Sequence, residues 1–393
     1  MQNKSKKKLL YVMGIDWDWI FQRPQIIEQH LEESYDVTVI FPRSILKWRP
    51  GRRKLHSTAL PSHFKILWTL PFQEKNPAIG WLARKLFSPV FKDSSHFDVI
   101  VIGYPLYYRY IPSSYQGKLV YDCMDYHKAL YPDPKSLPSL LEQEDALASR
   151  CDLLIVSAEK LAWEMQAKVA ASEKLPQEMP TKNTASEKIR LIRNGVSLQH
   201  VYAGDLQSSD ENGGSNVKRH HKPPYKLGYF GTIAEWFDYN LLLKSLSNRP
   251  DIEYHLIGPV RASAPVTHER LIMEGVAQHD RLFSYVEDCA CLVMPFLVND
   301  VVEWVDPVKL YEYIAMGKCI ISVRYPEIER FEPYVYMYST AEEYLNLLDQ
   351  LITEGFPPKY DIAMQQLFLS ENSWQFRFKQ WDQAFEDIGI TES

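Results

Sequence analysis

The chain has 393 residues, of which 46% are hydrophobic and 24% charged, with a formal net charge of -6. That length suits two domains with separate cores, and the balance excludes a disordered or fibrous chain. No run approaches the ~20 apolar residues that span a bilayer, and five cysteines, an odd number without metal-like grouping, argue for a reducing compartment over a disulfide framework.

The basic run Lys4 to Lys8 precedes the apolar run Leu9 to Ile15, which stops at Asp16 with no small-residue cleavage site, so it predicts a first strand and not a leader. Further strands are expected at 37–41, 99–102, 119–121, 153–156 and 189–192. Helical patterns lie between them at 24–31, 136–149 and 159–171. This alternation predicts a doubly wound domain. Where a glycine-rich loop often follows the first strand, the chain has Trp17, Asp18 and Trp19, then Gln22 and Arg23 before the helix opened by Pro24. Trp17 and Trp19 admit two readings, a stacking platform for a sugar acceptor or a cover over the sheet end. Asp122 and Asp125 follow a strand ending at Tyr121, at the edge where α/β sheets bind ligands. Asp122 reads best as a turn aspartate, whereas Asp125 or His127 can steady an acceptor hydroxyl or an oxocarbenium-like centre.

Charge is distributed unevenly. Between Arg43 and Lys92, Lys47, Arg49, Arg52, Arg53, Lys54, Lys65, Lys75, Arg84 and Lys85 are opposed by Glu74 alone, with Trp48, Phe64, Trp68, Phe72, Trp81, Phe87 and Phe91 interleaved. Trp81 to Phe87 reads as a short basic amphipathic helix. The combination suits peripheral contact with an anionic membrane through 43–92, or a solvated basic face over an aromatic core. Overall acidity and the lack of a reader motif argue against nucleic acid.

Two polar stretches, 172–187 and 204–224, have insert and linker composition. A second alternating series follows, with strands expected at 227–230, 254–257, before Gly275, 291–295 and 319–323. An aromatic helix at 373–385 is expected to pack back on the body. Within this series Asp306 to Lys318 reads as a helix with Asp306 at the N-cap, Pro307 at the first position and Gly317 as the left-handed C-terminal cap. Leu310, Tyr313, Ile314 and Gly317 share the sheet-facing side. Lys309 and Glu312 stand together on a neighbouring face, either an ordinary surface pair or a cation for a diphosphate beside a carboxylate for vicinal hydroxyls. Gly231-Thr232 ends a strand, where a turn without Cβ can bring backbone amides close to phosphate.

The segments Tyr229-Phe230-Gly231-Thr232, Leu256-Ile257-Gly258-Pro259, Met294-Pro295-Phe296 and Asp306-Pro307-Val308-Lys309-Leu310-Tyr311-Glu312-Tyr313 occur in the order found in family 4 glycosyltransferases. With Asp16 to Trp19, Gln22 to Gln25 and Tyr121 to Asp125, the chain resembles the teichuronic acid branch of that family. The resemblance implies the α/β GT-B fold: two Rossmann-like domains facing across a cleft, with a C-terminal helix returning to the first. On that plan 1–203 is the acceptor-side domain, 204–224 a linker, 225–365 the nucleotide-sugar domain and 366–393 the returning helix.

The same resemblance gives Glu312 the donor ribose. A second family Glu eight residues earlier is replaced by Trp304, for which Asp306 or Glu303 can substitute. The family's Arg and Lys are missing from 231–238, leaving Lys309 and Arg193 to meet the diphosphate. Donor contacts are therefore expected from Glu312, Lys309, Gly231, Thr232, Asp306 and Arg193, acceptor contacts from Trp17, Trp19 and Arg23, and catalysis from Asp125 and His127. The implied activity is retaining transfer from a nucleotide sugar to a carbohydrate or lipid-linked acceptor in cell-surface polysaccharide synthesis. No metal or other cofactor is expected, and the place expected is the cytoplasm or the inner face of the membrane. A nucleotide-sugar epimerase of the same fold and a noncatalytic sugar-binding subunit are the alternatives.

Overall fold

The structure, a computed structural model, describes residues 6–19, 21–47, 60–130, 137–172, 187–197, 221–262, 267–277 and 281–391. The insert at 173–186, the linker up to 220 and the basic residues Arg49, Arg52, Arg53 and Lys54 lie outside them. The chain divides into two compact units, Met1–Arg193 with Phe378–Ser393, and Asn194–Arg377.

In the first unit, β1 (Lys8–Val12), α1 (Arg23–Ser34), β2 (Asp36–Ser44), β3 (Phe64–Thr69), α2 (Pro77–Phe87), β4 (Val99–Ile102) and β5 (Lys118–Cys123) lead to α3 (His127–Leu130), α4 (Leu137–Arg150), β6 (Leu153–Val156), α5 (Glu159–Ser172) and β7 (Ile189–Leu191). The strands form one parallel sheet in the order β3-β2-β1-β4-β5-β6-β7. Val-Ile-Val-Ile in β4 and Leu-Leu-Ile-Val in β6 are buried throughout, because a parallel sheet covered on both faces wants continuous apolar runs. The outermost strand, β3, was not expected: its sequence Phe-Lys-Ile-Leu-Trp-Thr buries only Leu67, so it carries an edge strand's mixed pattern and reads as part of the basic segment.

The second unit holds β8 (Tyr225–Phe230), α6 (Tyr239–Asn248), β9 (Ile252–Ile257), β10 (Leu271–Gly275), α7 (Leu282–Val286), β11 (Cys291–Met294), α8 (Val308–Ala315), β12 (Cys319–Val323), β13 (Tyr336–Tyr338), α9 (Ala341–Glu354) and α10 (Ile362–Asn372). Its parallel sheet runs β10-β9-β8-β11-β12-β13. The chain order reverses between β8 and β11, and such a switch point leaves a crevice at the carboxyl ends of the strands. The tail is two helices, α10 and then α11 (Trp374–Asp387). Of α11, the part from Phe378 belongs to the first unit, where Trp381 and Phe385 are each 1% exposed. The His30 ring stacks on Phe378 at 4.2 Å and bonds Asp382 at 2.7 Å.

All five cysteines are reduced and buried, and burial pushes the Cys151 thiol up to about 12 and that of Cys289 to about 11. Among the described residues no helix is long and apolar enough to cross a membrane. Removing the fully buried indole of Trp381 with Trp381→Ala is expected to destabilise the first unit by about 3–5 kcal/mol, read as a fall in the urea midpoint.

Candidate functional site

Two glycines shape the switch-point edge of the second sheet. Gly258, just past β9, has φ +139°, and a Cβ there would lie 2.1 Å from the Gly231 carbonyl oxygen. Gly231, just past β8, has φ +137°, and its Cβ would lie 2.0 Å from Lys309 Cε. Only glycine tolerates both the backbone angle and the approach. The Lys309 stem therefore lies across Gly231, with its ammonium 5.8 Å from the Tyr229 ring centre and 5.9 Å from that of Phe296. A basic residue from α8 thus reaches the turn after β8, where the chain has no Arg or Lys of its own.

Leu310, Tyr313 and Ile314 are fully buried, as their spacing predicts, and this sets α8 against the sheet with Lys309 and Glu312 half-buried on its flank. Burial pushes the Glu312 carboxyl up to about 7 against the opposing pull of Lys309. It also pushes the Lys309 ammonium below its ordinary range, with Glu312 drawing it partly back. Neither charge fully offsets the burial of the other. At the neighbouring turn the Gly231 amide donates to Ile257 O at 2.8 Å, so it is not available to a phosphate as the sequence suggested. The Thr232 carbonyl accepts from Tyr229 Oη at 2.8 Å.

Asp306 departs from its expected role. The helix starts at Val308 with Pro307 at the N-cap, and no side chain caps it. Asp306 is buried, and its carboxylate accepts from the Asn194 amide (2.7 Å), from Tyr311 Oη (2.9 Å) and from Arg330. These bonds occupy both oxygens, so Asp306 organises the start of α8 and does not face a donor. Gly317 has the expected left-handed conformation, φ +65°. Arg330 was not singled out from the sequence, and no role was expected of the Tyr311 hydroxyl, because nothing local marks residues that meet only around a buried carboxylate.

In the first unit Arg23 is also corrected. Its guanidinium is buried, pairs with the fully buried Asp122 (Nη2 to Oδ1, 2.8 Å) and donates to Ile192 O at 2.8 Å. It is a structural tie, not an acceptor contact, and Asp122 is its partner at the end of β5 and not a turn former. Arg193, expected at the diphosphate, donates to Glu159 at 2.8 Å. Asp16 and Asp18 both accept from Arg43 Nη2 at 2.7 Å, which fixes the loop after β1. Within it Trp17 meets Phe64 edge-on at 4.5 Å, and Trp19 is half-buried.

Asp125 lies two residues beyond β5. Burial pushes its carboxyl above the ordinary range while His127 draws it back. His127 is buried, with Nδ1 3.0 Å from Glu144 Oε1, which also accepts from Tyr121 Oη at 2.9 Å. Burial pushes the Glu144 carboxyl up, but His127 and Lys168 outweigh it and hold it below its usual value. The Glu144 carboxylate thus holds the His127 ring through Nδ1. Cys123, His127 and Glu144 are close enough to hold a metal ion, yet Lys168 already places an ammonium 3.1 Å from Glu144 Oε2. A second group, Glu28, Glu32 and His63, has Glu32 bonded to His63 at 2.6 Å.

Two parallel sheets, each with its helices, and a tail helix that ends in the first unit define the GT-B fold, and the class of enzyme is glycosyltransferase. The chain is 23% identical over 295 residues, 71% of its length and 68% of the relative's, to the putative teichuronic acid biosynthesis glycosyltransferase TuaH of Bacillus subtilis (strain 168). In fold it is similar to a sucrose-phosphate synthase from Thermosynechococcus elongatus (TM-score 0.65, 12% identity, 98% of this chain and 99% of that one). It is also similar to Anabaena HepE in complex with UDP and glucose (TM-score 0.61, 14% identity, 97% and 99%). No protein-family model matches the sequence. Because truncation strands a buried carboxylate, Arg23→Ala is expected to cost about 3–5 kcal/mol, measured by urea denaturation.

Proposed function

We propose that the chain transfers a sugar, with retention of anomeric configuration, from a nucleoside diphosphate sugar to a carbohydrate or lipid-linked acceptor in cell-surface polysaccharide synthesis. The observation that carries the reading is the half-buried Lys309–Glu312 pair at the switch point of the second sheet, with the Lys309 stem laid across Gly231. TuaH and HepE support it by what they are named for and bound to. In this reading Glu312 accepts hydrogen bonds from the ribose hydroxyls. Lys309 and the amino end of α8 meet the diphosphate and stabilise the charge that grows on it as the sugar leaves.

Donor binding then draws on no metal ion, and the nucleotide-induced thermal shift is expected to survive EDTA. The Thr232 amide, which makes no hydrogen bond among the described residues, is a further donor to phosphate. On the acceptor side, Asp125 steadies the incoming hydroxyl, His127 positions Asp125 through its bond to Glu144, and Trp17 and Trp19 give the acceptor sugar an apolar face. Cytoplasmic placement follows from a nucleotide-sugar donor and belongs to the same proposal.

Purified protein incubated with a panel of nucleoside diphosphate sugars, with and without membrane lipid extract, should release nucleoside diphosphate with at least one donor. Background turnover in every mixture, together with no thermal shift, overturns the reading. Glu312→Ala should abolish the thermal shift, and Lys309→Ala should weaken donor binding roughly tenfold, about 1.4 kcal/mol.

The pH dependence has a definite sign. A hydroxyl donates to the ionised carboxylate, so binding expels the proton that Glu312 holds up to about 7. Affinity for a nucleotide sugar, whose diphosphate does not titrate there, should rise between about pH 6 and 8 and become flat in Glu312→Gln. The free fold behaves oppositely, since the raised carboxyl stabilises it below the ordinary value of 4.5 and that contribution is lost as pH climbs through about 7.

A further inference from the structure

Helix α2 is inverted relative to an ordinary surface helix. Its buried residues are the small ones, Gly80 and Ala83, while Trp81, Leu82 and Leu86 are 57%, 42% and 55% exposed. At 100° per residue, Trp81, Lys85 and Leu82 fall on the side opposite Gly80 and Ala83, with Leu86 on the flank beside Leu82. The helix seats closely, since a Cβ on Gly80 would lie 2.6 Å from Gln73 O, and it packs beside β3. Small residues let the helix sink against the unit while its large apolar side chains face outward.

The turn before α2 repeats the pattern. Phe72 has φ +61°, the left-handed region that a bulky residue enters only at a cost, and its ring is 69% exposed. The turn is held by amides of Lys75 and Asn76 donating to Phe72 O at 3.0 and 2.9 Å, and Asn76 then caps α2 through Ala78 N. Strain is thus spent on a conformation that leaves a phenyl ring in water.

Around these rings the charge is basic. Lys75, Arg84, Lys85 and Lys92 are exposed, and Lys85 Nζ lies 5.2 Å over the Trp81 ring, its stem along the indole and its ammonium at the rim. Of the acidic residues nearby, Glu74 lies 3.8 Å from Arg109, which leaves Asp93 as the other negative charge in 72–93.

We propose that the Phe72 turn and the outer face of α2 dock on an anionic lipid bilayer, with Phe72, Trp81, Leu82 and Leu86 at the level of the headgroups and Lys75, Arg84, Lys85 and Lys92 on lipid phosphates. A partner of matching chemistry offers apolar depth and negative charge over one surface, and a bilayer rich in anionic lipid offers both. The surface narrows the broad basic segment expected from the sequence to one helix and one turn. It does not depend on the donor-site reading.

The test is cosedimentation of the full-length chain with vesicles of phosphatidylcholine alone, or with about one-third phosphatidylglycerol. Binding to the anionic vesicles is expected, weakening as salt is raised, with little binding to phosphatidylcholine. The triple variant Trp81→Ser, Leu82→Ser, Leu86→Ser should lose at least tenfold in apparent affinity, and Lys85→Glu with Arg84→Glu a comparable amount. Thermal melts and nucleotide-sugar shifts should stay unchanged, because the substituted side chains are exposed and lie in the other unit from Lys309 and Glu312. Anionic vesicle binding that survives both sets of substitutions, or its absence in the parent chain, overturns the proposal. So does a concentration-dependent dimer that the triple variant abolishes without any effect on vesicles, since the occupant is then a second copy.

Discussion

The second unit's switch-point edge depends on two approaches that a side chain would block, backbone on backbone and a lysine stem on backbone. Gly258 lies against the Gly231 carbonyl, and Gly231 lies under the stem of Lys309. A methyl group at Gly258 would meet the Gly231 backbone and part the two turns, and one at Gly231 would displace the Lys309 stem. The glycines therefore act as spacers of zero thickness that set where a positive charge sits. Burial of the sheet-facing residues of α8 fixes the rest of the placement, since Leu310, Tyr313 and Ile314 hold the helix on the sheet while Gly231 leaves room for the lysine stem.

The same economy of placement governs the acidic groups. Asp306, Asp122 and Glu144 are all buried, and each is claimed by basic or hydroxyl partners: Arg330 and Tyr311, Arg23, and His127 with Lys168 and Tyr121. Isolated burial of such charges costs several kcal/mol, so these pairs fix loops that unpaired carboxylates would open. Glu312 differs from them, because its carboxyl is held near neutrality and lysine only partly offsets burial.

This difference also explains what could be read from sequence. Continuous apolar runs located β4, β6, β11 and β12, and helical spacing in α8 put Leu310, Tyr313 and Ile314 inward with Lys309 and Glu312 beside them, because these signals are local. Asp306 before a proline has the local appearance of a cap. Its actual partners Asn194 and Arg330 lie 112 and 24 residues away, a distance at which sequence carries no pattern. Arg23 was misread for the same reason, with Asp122 99 residues on. Gly258 was visible only as part of a motif, and its close approach to Gly231 emerges only when two strands end side by side. Edge strand β3 was hidden because half-exposed strands in a basic, aromatic segment lose the alternation that identifies them.

The buried cysteines have a practical side. All five thiols are enclosed, and burial raises those of Cys123, Cys151, Cys289 and Cys291 so that little thiolate forms near neutrality. The native chain is therefore a quiet background for maleimide chemistry. A single cysteine introduced on an exposed position takes a spin label or fluorophore selectively, without first stripping the protein of its own sulfur.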